Sequence, residues 1–537
     1  MNAPSLSKRK LPTLAGCLAM TALIISGSLV QSAQARGSTH IAPAIKAGGT
    51  ANVFDFAAPD CLDPQQTVSG ASELVYDQVA DDLVTLNPRG KLEPDLAVNW
   101  AFSHGDKWIT FDLRKGVKFS NGDPLTASAV KASFERDLNP ATKSPSVSSD
   151  LGLLRSIKVV NKDTVRLIMK QAFRPIMSKL GFDGTSLAII DAKAMNKEGL
   201  AKACDKPIGT GAFKIQSVGP DFSTVTLVRN PSHNWGLEWA HNKGPAYLSK
   251  LVFHSIPDTT TQASELLAGQ LDVANIAGTQ LPRVEGNKSI KLYKDFGTVM
   301  TWLEFNTSHK PFNSQAVRRA FSEAISRAAV AKVATNGLGV AATSPEPVRW
   351  SYYDKSTKKY LVPFNPTAAQ KTLAAEHVTG PFDLLTYDIP EFTTAAQLIQ
   401  GELANVGVKI NVVAKPVADA ISAASSGQFD LTFLNFGGID PDQLYLFLDS
   451  SQAAPAGSNY TGYKSAKLDQ LLTSGRETLS TKKAALIYSR AQKFIATHAV
   501  VDPLWMDVFI FGVRDRVGGF RPFYNPLVLY QDMYVQK

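Results

Sequence analysis

Cysteine and histidine are scarce in this 537-residue chain, at three and eight residues, and the scarcity narrows its chemistry. No C-x-x-C, no H-E-x-x-H and no G-x-S-x-G occurs, which removes a thioredoxin-type redox pair, a zincin helix and a nucleophile elbow. His233, His241 and His254 are the closest histidines, but their spacing is not that of a metal site, and they read as ordinary surface or core residues. S-x-x-K appears at 356–359 and 480–483 without S-D-N or K-T-G, so a penicillin-binding enzyme is not indicated. With no nucleophile, base and orienter assembled, the expectation is no catalytic residue, no metal and no cofactor.

Runs of one charge are missing too. The formal net charge is +9, yet beyond residue 35 the basic residues cluster only in pairs such as Arg318–Arg319, Lys358–Lys359 and Lys482–Lys483. A nucleic-acid binder concentrates its charge on a stripe or arm, so the excess reads as solvated surface and no nucleic-acid partner is expected. Internal repeats, heptads and low-complexity linkers are likewise absent. Apolar residues make up 44% and charged residues 19% of the chain, a composition that supports a large core in two to four domains.

What is present begins at the N-terminus. Lys8, Arg9 and Lys10 precede an uncharged run over 11–30, and Ala33-Gln34-Ala35 supplies small residues before Arg36. This is the pattern of a secretory leader cleaved after Ala35, which would place the protein in the periplasm. Two other readings stand beside it: a retained membrane anchor, and a lipoprotein modified at Cys17 in LAGC. Cleavage at Ala35 leaves Cys61 and Cys204 in an oxidising compartment, where two cysteines normally pair; the alternative is two separate buried thiols.

Along the chain, 49–56 reads as a first strand. Ile109, Phe111 and Leu113 alternate with polar residues in a half-buried strand. A helix follows Thr126, with Ala127, Val130, Phe134 and Leu138 on one stripe, and 156–160 with 164–169 form a hairpin. From about 300, Asn313 is expected to cap one long helix bearing Val317, Phe321, Ala324, Ile325 and Ala328 on a face. The segments 382–388 and 408–413, with a helix between them that Gly407 stops, form a strand–helix–strand unit. A helix at 482–496 and a strand at 500–513 complete a mixed α and β chain of more than one lobe.

PIGTGAF, at 207–213, is the most glycine-rich candidate for a phosphate loop. It lacks the G-x-x-x-x-G-K-[ST] spacing and the third glycine of a dinucleotide fingerprint, and an alternating strand pattern rather than a helix follows it. It reads as a tight turn with its backbone exposed at a lobe surface.

Several stretches then resemble, in order, the family 5 bacterial extracellular solute-binding proteins of ABC importers, which include dipeptide, oligopeptide and nickel binders. They are LEPDLAVNWAFSHGDKWITFDLRKGVKFSNGDPLTASAVKASFER (92–136), PIGTGAFKI (207–215), VRNPSHNW (228–235), LAGQLDV (267–273), FNTSHKPFNSQAVRRAFSEAISR (305–327) and NYTGYKSAKLDQLL (459–472). The resemblance runs from about 48 to 530. It implies an α/β, two-lobed periplasmic binding protein fold of type II, cluster C-like, with an additional subdomain inserted in lobe I. The implied division is 1–35 signal peptide, 36–70 lobe I, 71–204 inserted subdomain, 205–296 lobe I again, 297–497 lobe II and 498–537 the return to lobe I. It further implies a monomer, a small peptide or peptide-like solute in the inter-lobe cleft, and permease subunits in the inner membrane as partners. Cys61 and Cys204 resemble one subgroup of the family, which supports their pairing.

One departure bears on the ligand. The dipeptide binders resemble this chain at Asp440-Pro441-Asp442 but carry another acid a few residues earlier, which holds the peptide amine; here that region is Asn435-Phe436-Gly437-Gly438. A longer or modified peptide, or an opine-like conjugate, therefore stands beside the free dipeptide, and nickel or a metallophore is a lesser option within the binder class. A periplasmic chaperone or adaptor, and an enzyme using the same cleft, are the readings from other classes. A cleft binder needs aromatic area and a few aimed polar groups, and the candidates are Phe56, Trp302, Arg349, Trp350, Asn435, Phe436 and Asp440, with Asp440 as the preferred anchor. An acid pair such as Asp440 and Asp442 in a turn is more often turn chemistry, and that reading stands beside it.

Overall fold

Two long strands, Ile290–Phe305 and Val501–Arg514, pair antiparallel and carry the sheet from one lobe into the other. They belong to an 11-stranded sheet of a computed structural model that describes residues 45–103, 107–145, 151–181, 187–524 and 527–536. The expected secretory leader and Cys17 lie outside the described residues.

On one side of the long pair the sheet continues through Val273–Asn275, Thr50–Asp55, Lys250–Ser255, Thr224–Arg229 and Phe213–Val218. Phe54, Phe213, Phe253 and Phe511 are buried in the core of this first lobe. On the other side it continues through Leu431–Phe436, Phe382–Tyr387 and Ile410–Lys415. There Phe382 pairs in parallel with Ile410, and the connecting helix Pro390–Ala404 buries Phe392, Ala395, Ala396, Ile399 and Leu403. Gly407, at φ +90°, lets the chain leave that helix and turn back, as expected of a stop residue.

The pairing of the two long strands shifts register between Phe296 and Met300. Such an irregularity bends a strand, and here it falls where the sheet passes between the lobes. Gly297 sits there at φ +88°.

A third core belongs to a four-stranded antiparallel sheet of Ala97–Phe102, Trp108–Leu113, Thr164–Met169 and Leu154–Asn161. The helix Ala127–Asp137 covers it, capped by the Thr126 side chain accepting from Ala129 N. Ala127, Val130 and Phe134 are buried, whereas Leu138 sits past the last turn and is exposed. The expected long helix after Asn313 is two helices, Gln315–Ala324 and Arg327–Ala334. Ile325 is extended between them, and Ser326 starts the second by accepting from Ala329 N. Ala328 is accordingly exposed rather than on the buried face. Cys61 and Cys204 form a disulfide, joining the loop after the first strand to the helix Leu200–Asp205.

The Pro207–Phe213 turn opens the strand Phe213–Val218, as read from the sequence. Its backbone is buried, not exposed: Gly209, Thr210 and Gly211 are all covered. A Cβ on Gly211 would stand 2.6 Å from the Gln78 carbonyl oxygen, and one on Gly209 would stand 2.6 Å from Ala80 Cα. The glycines are there so that two backbones can touch.

Candidate functional site: the cleft between the lobes

The second lobe presents two loops toward the first. One follows the buried strand Leu431–Phe436 and passes through Gly437 and Gly438 to Asp440 and Asp442. The other is the 344–353 segment. They are joined by Ser351 N donating to Ile439 O at 3.0 Å.

Asp440 is 3% exposed. Arg174 Nη2 donates to both carboxylate oxygens at 2.8 and 3.0 Å, Ser178 Oγ donates at 2.9 Å, and the Asp442 backbone N–H donates at 2.9 Å. Arg174 and Ser178 come from the segment that follows the four-stranded sheet, so this ion pair joins that segment to the loop after Leu431–Phe436. Arg174 also lies over the rings of Tyr352 and Tyr488. Beside it, Arg476 Nη2 donates to Asp442 at 3.0 Å while its guanidinium covers the Tyr445 ring. Burial pushes the Asp442 carboxyl up to about 6 against the pull of Arg476. Burial, with the Asp440 charge adding to it, holds the Glu346 carboxyl well above the usual range.

Arg349 makes a second junction. It pairs with Asp295 of the long strand and donates to the carbonyl oxygens of Pro88, at 2.9 Å, and Phe523. Leu86 and Phe523 meet Ile439 in a small apolar contact nearby.

Trp302 and Phe436 lie behind these loops, and Trp350, itself in the 344–353 segment, turns its ring in to join them. The Trp302 and Phe436 rings are 4.4 Å apart, with Trp350 5.6 Å from Phe436. All three are buried. Trp302 Nε1 donates to Pro345 O at 3.0 Å and Trp350 Nε1 to Thr298 O at 3.1 Å, so the cluster forms the floor that fixes both loops.

Strand alternation turns Asn435 to the opposite face from Phe436. Its Nδ2 donates to Thr301 Oγ1 at 2.9 Å and Asp507 Oδ2 at 3.1 Å. Asp507 and Glu391 line a cavity of about 550 Å³ there, and burial, with Asp507 adding to it, pushes Glu391 up to about 8. Phe56 stands apart from the other candidates, 40% exposed at the end of the first strand.

The sequence reading missed Arg174 and Ser178, because nothing local marks an arginine in a loop as the partner of an acid 266 residues away. It also missed a cavity of about 90 Å³ lined by Asp77, Asp81, Asp82, Asp95, His233 and Trp235. A signal for this one exists: Glu73, Asp77 and Asp81 recur every four residues, with Asp82 adjacent. Depth in the fold, then their mutual repulsion, raises the Asp77 and Asp82 carboxyls well above the usual range, and Asp95 likewise despite Arg114. Thr210, in the middle of the buried turn, donates to Asp81 at 2.7 Å.

The chain can now be set beside known proteins. Residues 91–456 match the family described as bacterial extracellular solute-binding proteins, family 5, middle. Heme-binding protein A of Haemophilus influenzae is 27% identical over 536 residues, covering 93% of this chain and 95% of the relative. The dipeptide-binding protein of Escherichia coli K12 is 26% identical, covering 86% and 90%. Among solved structures, the ABC transporter substrate-binding protein CtaP of Listeria monocytogenes superposes with a TM-score of 0.80 at 18% identity, over 92% of this chain and all of that one.

Proposed function

The chain belongs to the family 5 bacterial extracellular solute-binding proteins of ABC importers, and we propose that it captures a small peptide or peptide-like solute between its lobes and delivers it unchanged to the permease in the inner membrane. We place it in the periplasm as a monomer, exported by the leader that ends at Ala35. Among the described residues no helix is long and apolar enough to cross a membrane.

The observation that carries this reading is the pair of junctions across the cleft. Arg174 with Asp440, and Arg349 with the Pro88 and Phe523 carbonyls, tie loops of the second lobe to the first lobe and its insertion. Both junctions consist of polar contacts that water can replace, and the lobes are connected by two strands with a register shift at the crossing. That is the construction of a clamp that closes on a solute. The name of the dipeptide-binding relative supports a peptide. Asn435-Phe436-Gly437-Gly438 carries no acid for a peptide amine, which favours, as a second reading, a conjugate such as an opine.

We assign Phe56 and the Gly437–Gly438 backbone to contact with the solute, Trp302, Trp350 and Phe436 to the floor of that site, and Asp440 and Arg349 to closure. Native mass spectrometry of the gently purified protein tests the whole reading. A co-purifying small solute that returns unmodified after denaturation is expected. A chemically converted product, or no solute retained after incubation with di- and tripeptide mixtures and opines, overturns it.

A further inference from the structure

The cavity beside the Pro207–Phe213 turn lies apart from the Arg174–Asp440 pair, and polar atoms in it are left uncompensated. Asp81 is engaged by Thr210. Asp95 Oδ1 is buried without a partner, and Asp77 and Asp82 stand half-buried beside it. No lysine or arginine is among the described lining residues. Arg114, the nearest guanidinium, donates instead to the Asp95 main-chain carbonyl at 3.2 and 3.1 Å.

A separate observation comes from His233, which is 2% exposed. Its Nδ1 lies 3.1 Å from the Thr210 carbonyl, an acceptor only, so Nδ1 carries a proton and, in the neutral ring, Nε2 presents a lone pair. That Nε2 is buried and has no partner. An acceptor without a donor, beside carboxylates without a cation, is a costly arrangement unless something supplies the donors.

We infer that this cavity takes an ammonium or guanidinium group, held by Asp77, Asp82 and Asp95 and by Nε2 of His233. The size fits: about 90 Å³ is roughly the share of three waters in the liquid. Among the described residues no group of three or more His, Cys, Asp or Glu side chains is close enough to hold a metal ion. Spread acceptors suit a cation with several diverging N–H groups, and Trp235, stacked on His233 at 3.9 Å between centroids, offers a ring for a planar guanidinium. Phe523 is both a wall of this cavity and the carbonyl that Arg349 of the second lobe engages, so the cavity adjoins the cleft. The cation is therefore either a free small amine or the basic group of the solute; the second case rests on the peptide-like reading above.

The test uses the mature chain and four probes: methylguanidine, urea as its neutral counterpart, and the dipeptides Ala-Arg and Ala-citrulline, by calorimetric titration and thermal melting. Methylguanidine should bind and raise the melting temperature, urea should not, and Asp82→Asn or Asp77→Asn should each weaken methylguanidine at least tenfold. Because each substitution relieves repulsion, the unliganded variants should melt no earlier than the parent; an earlier melt in both overturns the inference. Ala-Arg binding at least tenfold tighter than Ala-citrulline, with methylguanidine competing, assigns the cation to the solute. Methylguanidine binding without competition assigns it to a free amine. If Ala-citrulline binds as tightly as Ala-Arg and methylguanidine not at all, the cavity reading falls and the peptide reading stands. If methylguanidine binds and neither dipeptide does, the cavity reading stands and the dipeptide is the wrong solute.

Discussion

Asp440 and Arg174 form a buried ion pair whose value, on the proposed clamp, depends on whether the lobes are together. Apart, each side chain faces water and is hydrated; together, the pair is nearly closed off, at 4% and 11% side-chain exposure. A hydrogen bond to a charged group contributes about 1.5–3 kcal/mol, and here it contributes only to the closed form. Asp440→Asn should therefore weaken solute binding about tenfold or more, and Arg174→Gln similarly. A direct ligand contact by Asp440 and a closure contact separate in the double variant. Closure predicts that Asp440→Asn with Arg174→Gln costs little more than either alone, since residues in one network are not additive. Additive losses in calorimetric titration would make Asp440 a ligand contact in its own right.

At the scale of elements, the Pro207–Phe213 turn packs against residues 78–80, and the disulfide ties the loop after the first strand to the helix Leu200–Asp205. Gly211→Ala would drive a methyl group into the Gln78 and Val79 backbone. Backbone yields less readily than a side-chain tip, so the expected loss is about 1–3 kcal/mol, read as a fall in urea midpoint. The same change at Gly401, where nothing lies within 4 Å of an added Cβ, is the control and should not destabilise. Cys61 and Cys204 are 143 residues apart, for which the chain-entropy account gives about 4–5 kcal/mol. Cys61→Ser with Cys204→Ser should lower the unfolding midpoint accordingly. The Leu62 N to Cys204 O hydrogen bond, at 2.7 Å, keeps the two segments in register in the variant.

For the whole molecule, buried carboxyls dominate the response to pH. Burial pushes Glu304 and Asp55 each up to about 8, and Glu73 to about 7. Neither oxygen of Glu304 has a hydrogen-bond partner among the described residues. In the unfolded chain such groups ionise near 4, so between about pH 4 and 8 the unfolded state holds fewer protons than the folded one. Stability then falls as pH rises through that window. The unliganded protein should melt higher at pH 5.5 than at pH 8, and Glu304→Gln should reduce the difference; a flat profile in the parent would show that these carboxyls are ionised and compensated.

The amino-acid pattern alone determined the strands, the parallel strand–helix–strand unit ending at Gly407, and the family, because each follows from local periodicity or from motifs read in order. The pairing of Cys61 with Cys204 was legible for a simpler reason: on the expected cleavage after Ala35, those two have no other cysteine. Where local grammar was overruled, tertiary packing did it. One apolar stripe continued through Ile325, but the chain breaks there so that Gln315–Ala324 and Arg327–Ala334 can pack separately. PIGTGAF looked exposed because glycine and threonine are small and polar, yet those same properties let it lie flat against residues 78–80. The candidate site was the least legible part. Trp302, Trp350 and Phe436 were singled out as aromatics near a cleft, and only the fold decides that their rings are buried together, Trp350 from within the 344–353 loop itself. The Arg174–Asp440 pair and the acid-lined cavity depend on contacts between segments more than a hundred residues apart, and no local pattern encodes a partner at that distance.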